Sequence, residues 1–433
     1  MEVVIGFDIN EFGIQVSYAP AQENAPVKTL QLSGKGDGTV VEALICKRHE
    51  VNQWYYGMDA LQKAKMGQGI LIENLWRRFV NEQEVMIEKE QYDTALLCNL
   101  LLKRILRGAL DKIRQEMQQE IAVRMLVITA EPFPNDCMER VERMLDGLEV
   151  DRKQIYLQTH EECLFAYLVH QPQRMLGYET GVMDLSNEML VSYRTTMNHR
   201  ARPVTVCIER QEVPHLVRKK HYPSISEHDR ALTALDEQFC DYAADFVNGR
   251  LVTTIYLVGS GFDGDWCQES LKVLCRNRKV YAGNNLYSKG AVYGGLSKIA
   301  PSETDAGYLF LGRGMLKDNI GIMVASGGKE EYCPLLDAGL NWYDAKNEIT
   351  LMLERADEIT LLITPVNGGA AYEEQIALGA LDQREDGTYR IRLFLQMQSE
   401  TTLAVTVTDE GFGELFLPSG QQVEKTIELE GGR

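Results

Sequence analysis

Two stretches of this chain follow one plan. VVIGFDIN (residues 3–10) and TGVMDLS (residues 180–186) are apolar, strand-forming runs that each carry one aspartate near the end, Asp8 and Asp184. A short polar break follows each, and then a second alternating run: Ile14, Val16 and Tyr18 after the first, MLVSYRTT after the second. That period-2 pattern around a polar break predicts two β-hairpins. Similar sequels follow. After the first hairpin come short β-runs, TVVEALICKR (39–48) and WYYGMDA (54–60), with a helix starting near Asp59. Next is a helical stripe over 91–121, carried by Leu96, Leu97, Leu100, Leu101, Ile105, Leu106, Leu110 and Ile113. The strand MLVITAEP, an FPND turn, the helix MERVERMLDGL, the strand IYLQT and the helix EECLFAYLV complete this half. After the second hairpin come the strand PVTVCIER, a helix over 231–247, the strand TTIYLVGSGF ending in a glycine turn, and the small-residue helix GAVYGGLSKI. The repetition predicts a duplicated α/β body, one hairpin and one aspartate per half.

Beyond about Leu316 the pattern changes. NEITLML, EITLLIT, YRIRLFLQM and TTLAVTVTD are strand-like runs parted by Gly, Asn and Asp turns, without a long helical stripe before Arg433, so the last part reads as an all-β sandwich. The boundaries predicted are 1–177, 178–306 and 307–433.

Composition narrows the function. A chain of 433 residues, 45% hydrophobic and 25% charged, has enough apolar mass for two or three cores. Its net charge of −18 disfavours a nucleic-acid partner, and the basic trio Arg218, Lys219 and Lys220 reads as a solvated hairpin end. No apolar run reaches membrane-spanning length and no leader-like start is present, so the expectation is a cytoplasmic protein without a membrane partner. Nine scattered cysteines without CxxC spacing point to reduced thiols, not to disulfides or a zinc site. His160, Glu161 and Glu162 in THEEC read as a helix-capping cluster, with Cys163 in no catalytic pairing. DEGFGELF, with Gly411 and Gly413, reads as a bulged turn.

Several of these pieces, in this order, resemble the heat-shock-70 (DnaK-like) chaperones of the actin-like ATPase superfamily. VVIGFDIN looks like the first phosphate loop, YYGMDALQKAK with NLWRRF like the segment leading to the catalytic lysine, and LVITAEPFPNDCMERV like the first lobe's strand, turn and helix. ECLFAYLV and NNLYSKGAVYGG resemble the two connecting helices. VMDLSNEMLVSY resembles the second phosphate loop and LVGSGF the adenosine loop, while NIGIMVASGG and RIRLFLQMQSETTLAVTVTDEGFGE resemble the peptide-binding β-sandwich. The resemblance implies a two-lobed actin-like ATPase body of duplicated ribonuclease-H-like lobes, followed by the sandwich. It implies ATP or ADP with Mg²⁺ in the crevice, Asp8 and Asp184 as catalytic residues holding Mg²⁺ through water, and Asn10, Ser186, Asn187, Gly259, Ser260 and Gly261 around the nucleotide. A protein or peptide client is the implied partner; no particular co-chaperone follows.

The loops depart from that family's pattern. A backbone can wrap phosphates only where no Cβ intrudes, yet the first loop offers Asn10, Glu11 and Phe12 and the second Ser186, Asn187, Glu188 and Met189. Like charges at about 4 Å repel by several kcal/mol at an intermediate dielectric, so Glu11 and Glu188 oppose a polyanion. The lysine position falls at Leu75 or Trp76, with Arg77 or Arg78 as the nearest cations, and an arginine does not copy a compact ammonium. From Asp184 to Gly259 is only 75 residues (259 − 184), short for the helices that cover the adenine. Gly259, Ser260 and Gly261 suit either a nucleoside contact or a tight strand-to-helix turn. Two readings follow: a divergent, non-hydrolysing scaffold that binds protein or peptide partners, which is favoured, and an active ATP-dependent chaperone. The second draws on Asp8, Asp184, the GSG loop and the apolar connector YLFL (308–311). No amphipathic segment follows the sandwich, so a helical lid is not expected under either. A small-metabolite kinase is a third reading, disfavoured by the trailing β-domain. Asp184 itself has a local use, since an aspartate tightens a hairpin through its own backbone bonds.

Overall fold

A computed structural model of the chain describes residues 1–33, 38–131, 138–172, 179–199, 202–219, 224–312, 314–342, 345–353, 358–366, 369–379, 389–413 and 416–429. The predicted FPND turn, Lys220 and the 177/178 boundary lie outside these residues. Two units are present: Met1–Thr196 with Arg210–Ala306, and Met197–Glu209 with Gly307–Arg433.

The first unit is mixed α/β. Strands β1 (Glu2–Ile9), β2 (Gly13–Pro20) and β3 (Lys28–Thr29) are followed by the long helix α1 (Thr94–Met117), β4 (Ala122–Ala130), α2 (Met138–Leu145), β5 (Ile155–Gln158) and α3 (His160–Val169). Their sheet runs β5-β4-β1-β2-β3, with β1 parallel to β4 and antiparallel to β2. Then come β6 (Glu179–Asp184), β7 (Met189–Asn198), β8 (Val204–Val217), α4 (Ile225–Val247), β9 (Val252–Val258), β10 (Lys279–Gly283) and α5 (Leu286–Ile299). These give the order β10-β9-β6-β7-β8, with β6 parallel to β9 and antiparallel to β7. The two sheets therefore share one strand order and, over their first four strands, one set of directions. Between β3 and α1 the chain adds a small sheet of Ile45–Arg48, Trp54–Tyr56 and Gly69–Ile72 and the short helices Gly57–Lys65 and Leu75–Val80.

Local chemistry sets several ends. Asp93 caps α1 by accepting the Ala95 amide at 2.8 Å, so the helix starts at Thr94 and not at residue 91. Ser224 caps α4 through the Glu227 amide, so that helix begins at Ile225 rather than Ala231. The first core joins Ile5, Phe7, Ile14 and Val16 with Leu97, Leu101, Ile105 and Ile128; the second joins Met183, Leu185, Phe239, Phe246, Ile255 and Leu257. Small residues let α5 pack on the first sheet and on α3. A Cβ on Gly290 would meet the Cys163 carbonyl oxygen at 2.0 Å, and one on Gly6 would meet the Ser288 carbonyl oxygen at 2.4 Å. Ser17 and Ser288 join by hydroxyls at 2.8 Å.

The second unit is β-rich. In its first segment Val204–Cys207 pairs in parallel with β11 (Tyr308–Leu311). Then follow β12 (Asp318–Ser326), β13 (Lys329–Leu336), β14 (Lys346–Leu353), β15 (Glu358–Pro365), β16 (Tyr372–Ala377), β17 (Tyr389–Met397), β18 (Thr402–Asp409) and β19 (Gln422–Glu428). Two four-stranded sheets, β13-β12-β15-β16 and β14-β17-β18-β19, share one apolar core. Leu393 faces Val407 and Leu395 faces Val405 across β17 and β18, the inward half of a strict alternation. Among the described residues this unit has no helix, and none of the described helices of either unit is long and apolar enough to cross a membrane.

Candidate functional site

The two hairpin turns of the first unit are closed by their own side chains. In the first, the Asn10 carboxamide oxygen accepts the Phe12 amide at 3.0 Å and the Gly13 amide at 2.9 Å, while the Asn10 amide donates to the Gly13 carbonyl. In the second, Asp184 Oδ1 accepts the Ser186 amide at 2.8 Å. An Asx side chain thus takes the place an external anion would need at both turns.

Glu11 does not face outward as a bare charge. It is buried and lies 2.6 Å from the Arg77 guanidinium. Leu75 and Trp76, at the expected lysine position, are in the core; Arg78 donates to the Glu73 carbonyl and Arg77 is engaged by Glu11. Ser186, Asn187 and Glu188 are half-buried, and the Asn187 side-chain oxygen is buried without a hydrogen bond.

The glycine loop is packed onto the second turn. The Leu185 amide donates to Val258, and the Gly261 amide donates to the Leu185 carbonyl at 3.0 Å. A Cβ on Gly259 would be 2.2 Å from the Ser186 nitrogen and one on Gly261 2.3 Å from Leu185 Cγ. Both glycines are required by this contact; Ser260 between them is exposed. Arg218 braces the same loop by donating to the Gly261 and Asp263 carbonyls and lying over the Trp266 ring. It is a half-buried brace and not the solvated hairpin end expected from its basic neighbours.

The residue around which the buried charges of the first unit gather is His160. Its Nε2 is 2.9 Å from Asp8 Oδ1, with the side chains 1% and 4% exposed. Its ring stacks on Tyr287 of α5 at 3.6 Å between centroids and 7° between planes. Asp8 shares its sheet face with its cross-strand neighbours Gln15 and Thr129. Near them Glu131 is 2.6 Å from Arg210. Burial opposes a charge on the His160 imidazole, but Asp8, Glu131 and Asp184 outweigh it and raise its pKa to about 9. Burial pushes the Glu131 and Asp184 carboxyls up, against the pull of His160 on both and of Arg210 on Glu131. The buried Tyr287 phenol, beside Asp184, is pushed well up by burial and by that carboxylate.

The capping role read for His160 belongs to its neighbours. The Thr159 hydroxyl accepts the Glu162 amide at 3.2 Å and Glu162 accepts the Thr159 amide at 2.7 Å, a reciprocal capping box. His160, Cys163 and Leu164 share the buried face of α3, an i, i+3, i+4 spacing that was present in the sequence. Glu131 and Arg210 carried no sequence signal of their own. Among the described residues no group of three or more His, Cys, Asp or Glu is arranged to hold a metal ion, and the described cysteines are free thiols, with Cys46, Cys98, Cys163 and Cys267 buried.

Residues 315–429 match a domain of unknown function, DUF8552. No curated protein matches the chain. Residues 27–313, about two thirds of the sequence, match the family of unknown function DUF5716, C-terminal, and the chain belongs to that family.

Proposed function

We propose that this protein is a heat-shock-70-like, chaperone-related scaffold: an actin-like two-lobed body of duplicated ribonuclease-H-like halves with a C-terminal β-sandwich, binding protein or peptide partners without hydrolysing ATP. Support for the body comes from the matching orders β5-β4-β1-β2-β3 and β10-β9-β6-β7-β8 and from one aspartate at the end of the first strand of each hairpin. The two four-stranded sheets of the second unit support the sandwich half of the reading. Free thiols among the described cysteines support a reducing, cytoplasmic setting, and the net charge of −18 supports partners other than nucleic acid.

One observation carries the non-hydrolysing part: Asp8 is already ion-paired with the buried His160 while Asn10 and Asp184 hold the turn amides. A triphosphate needs those amides, and a Mg²⁺ ion held through water needs the Asp8 carboxylate open to it. The residues present do not fit ATP or ADP with Mg²⁺. Isothermal titration and thermal-shift measurements with ATP and ADP, with and without Mg²⁺, test this. The expected result is no heat and no shift at millimolar nucleotide, whereas a ligand at a hundred times its Kd adds about 2.7 kcal/mol. Micromolar affinity that Asp8→Ala abolishes would overturn the reading in favour of an active ATP-dependent chaperone.

A further inference from the structure

We propose that the His160 side chain is a built-in counter-cation that holds the two halves of the first unit closed, in place of a bound metal and nucleotide. The proposal rests on the reading of the crevice as a nucleotide site filled from within.

His160 bonds to the first half and, through Tyr287, meets the second: the Tyr287 ring lies edge-on to Tyr193 of β7 at 6.2 Å between centroids. The His160 Nε2 reaches Asp8 at the end of β1, and its ring covers Tyr287 at the start of α5. Just along the same two helices, Gly290 lets the backbone of α5 come against the Cys163 carbonyl of α3. The charges facing the imidazole come from several elements: Asp8 on β1, Glu131 directly after β4 and Asp184 at the end of β6. Arg210 on β8 is engaged with Glu131, and the Tyr193 phenol on β7 and Tyr287 on α5 border the cluster. On its own helix, Glu162 is tied to the Thr159 amide and Glu161 stands beside it.

The placement has costs that a packing role would not incur. His160 is the first residue of α3, where the helix dipole disfavours a cation, and it is buried, where any charge is disfavoured. Three carboxylates offset both effects. Without the imidazolium, Asp8 would lose the cation 2.9 Å away in a place with little access to water, while Glu131 would keep Arg210. A buried carboxylate needs a cation or a proton to offset its charge, and for Asp8 the chain supplies the imidazolium. The Nδ1 atom of His160 makes no hydrogen bond among the described residues, so the ring's orientation comes from Asp8 and from the Tyr287 stack.

Hydrogen–deuterium exchange on the full chain tests the latch. At pH 7, His160→Ala is expected to speed exchange in β1, β6, α3 and α5 by about a hundredfold or more, the scale for breaking a buried ion pair, and to leave β17 and β18 unchanged. Millimolar imidazole at pH 7 should reverse much of that gain, and the same imidazole at pH 10, mostly neutral, should not. Unchanged exchange in the variant overturns the proposal. An opening that imidazole fails to reverse also overturns it, because it marks His160 as packing alone. If His160→Ala does not fold, the wild type decides: exchange in α3 and α5, corrected for the intrinsic rate, must rise between pH 7 and pH 10 relative to β17 and β18, and a flat ratio overturns the latch. Protection of the wild type by Mg-ATP in the same assay would remove the non-hydrolysing reading, while the imidazole response would still judge the latch.

Discussion

The Ser186 amide nitrogen lies where a Cβ on Gly259 would fall 2.2 Å away. The loop after β9 and the turn after β6 thus occupy each other's space, and the glycine that sequence alone leaves divided between nucleoside contact and tight turn is needed for the turn. Its φ of +101° adds a backbone conformation that L side chains rarely adopt. Gly259→Ala is expected to destabilise the first unit by about 3 kcal/mol or more, since backbone cannot yield as a side-chain tip can. Gly264→Ala is the control: its φ is +90° but nothing lies within 4 Å of the added Cβ, so it should cost only about 1 kcal/mol. Urea unfolding of both variants checks the difference; equal losses would mean that backbone strain alone, not the contact with Ser186, makes the glycine necessary.

Glu11 and Arg77 form a pair that is buried on one side and open on the other, with side-chain exposures of 7% and 52%. Removing the guanidinium leaves a carboxylate in a buried turn, whereas removing both charges leaves neither. Arg77→Ala should cost about 1–3 kcal/mol, and Glu11→Gln with Arg77→Ala should cost less than the sum of the single changes by about 1 kcal/mol. A double-mutant cycle by thermal denaturation measures that coupling. Additive losses would show that Arg77 acts through its aliphatic stem.

The buried cluster around His160 takes up protons on folding. His160 has a folded-state pKa raised from 6.5 to about 9, and the Glu131 and Asp184 pKa values are raised as well. For a histidine raised in this way, the stabilisation is fully present below the unfolded value of 6.5 and is lost as pH rises through about 9. The two raised carboxyls have the same sign: the native state holds protons longer than the unfolded chain, so stability falls as pH rises past their unfolded range. Wild-type stability of the first unit should therefore decline by on the order of a few kcal/mol between pH 7 and pH 10, and His160→Gln should flatten that decline. Urea denaturation at several pH values, followed by a probe in the first unit, gives both slopes; parallel slopes would remove His160 from the linkage.

Periodicity was enough to read the two hairpins, the long helix now bounded as Thr94–Met117 and the alternating strands Tyr389–Met397 and Thr402–Asp409, because amphipathic patterning is local. Helix starts were misread where a cap outside the apolar stripe decides them, as Ser224 does for Ile225–Val247. The site was only half legible. Asp8 and Asp184 stand out in sequence, but what neutralises Asp8 is 152 residues away and what neutralises Glu11 is 66 residues away. The expected clash of Glu11 with a phosphate presumed an unpartnered carboxylate; tertiary placement provided the partner, and nothing in the local pattern encodes such a pairing.

In the second unit, Asp409 ends β18 on the core side, 3% exposed, opposite Ile391. Its carboxylate accepts the Gly411 amide at 3.1 Å, the Ser419 amide at 2.9 Å and the Ser419 hydroxyl at 2.6 Å, while its own amide donates to the Gln421 carbonyl. The carboxylate thus ties the turn after β18 to the approach of β19, and Gly411, at φ +66°, lets the chain pass the Phe416 carbonyl, which a Cβ would meet at 2.4 Å. Asp409→Ala strips several donors of their acceptor at once and should cost about 2–4 kcal/mol. Ser419→Ala, which keeps both backbone bonds to the carboxylate, should cost about 1 kcal/mol. Asp409→Asn tests charge against shape: it retains an acceptor but weakens charge-assisted bonds, so its loss should fall between the other two. Thermal unfolding of the full chain, with exchange in β18 and β19 as the local readout, ranks the three variants; a ranking in which Asn equals Ala would mean that the carboxylate charge, and not the fit of an acceptor to these amides, secures the turn.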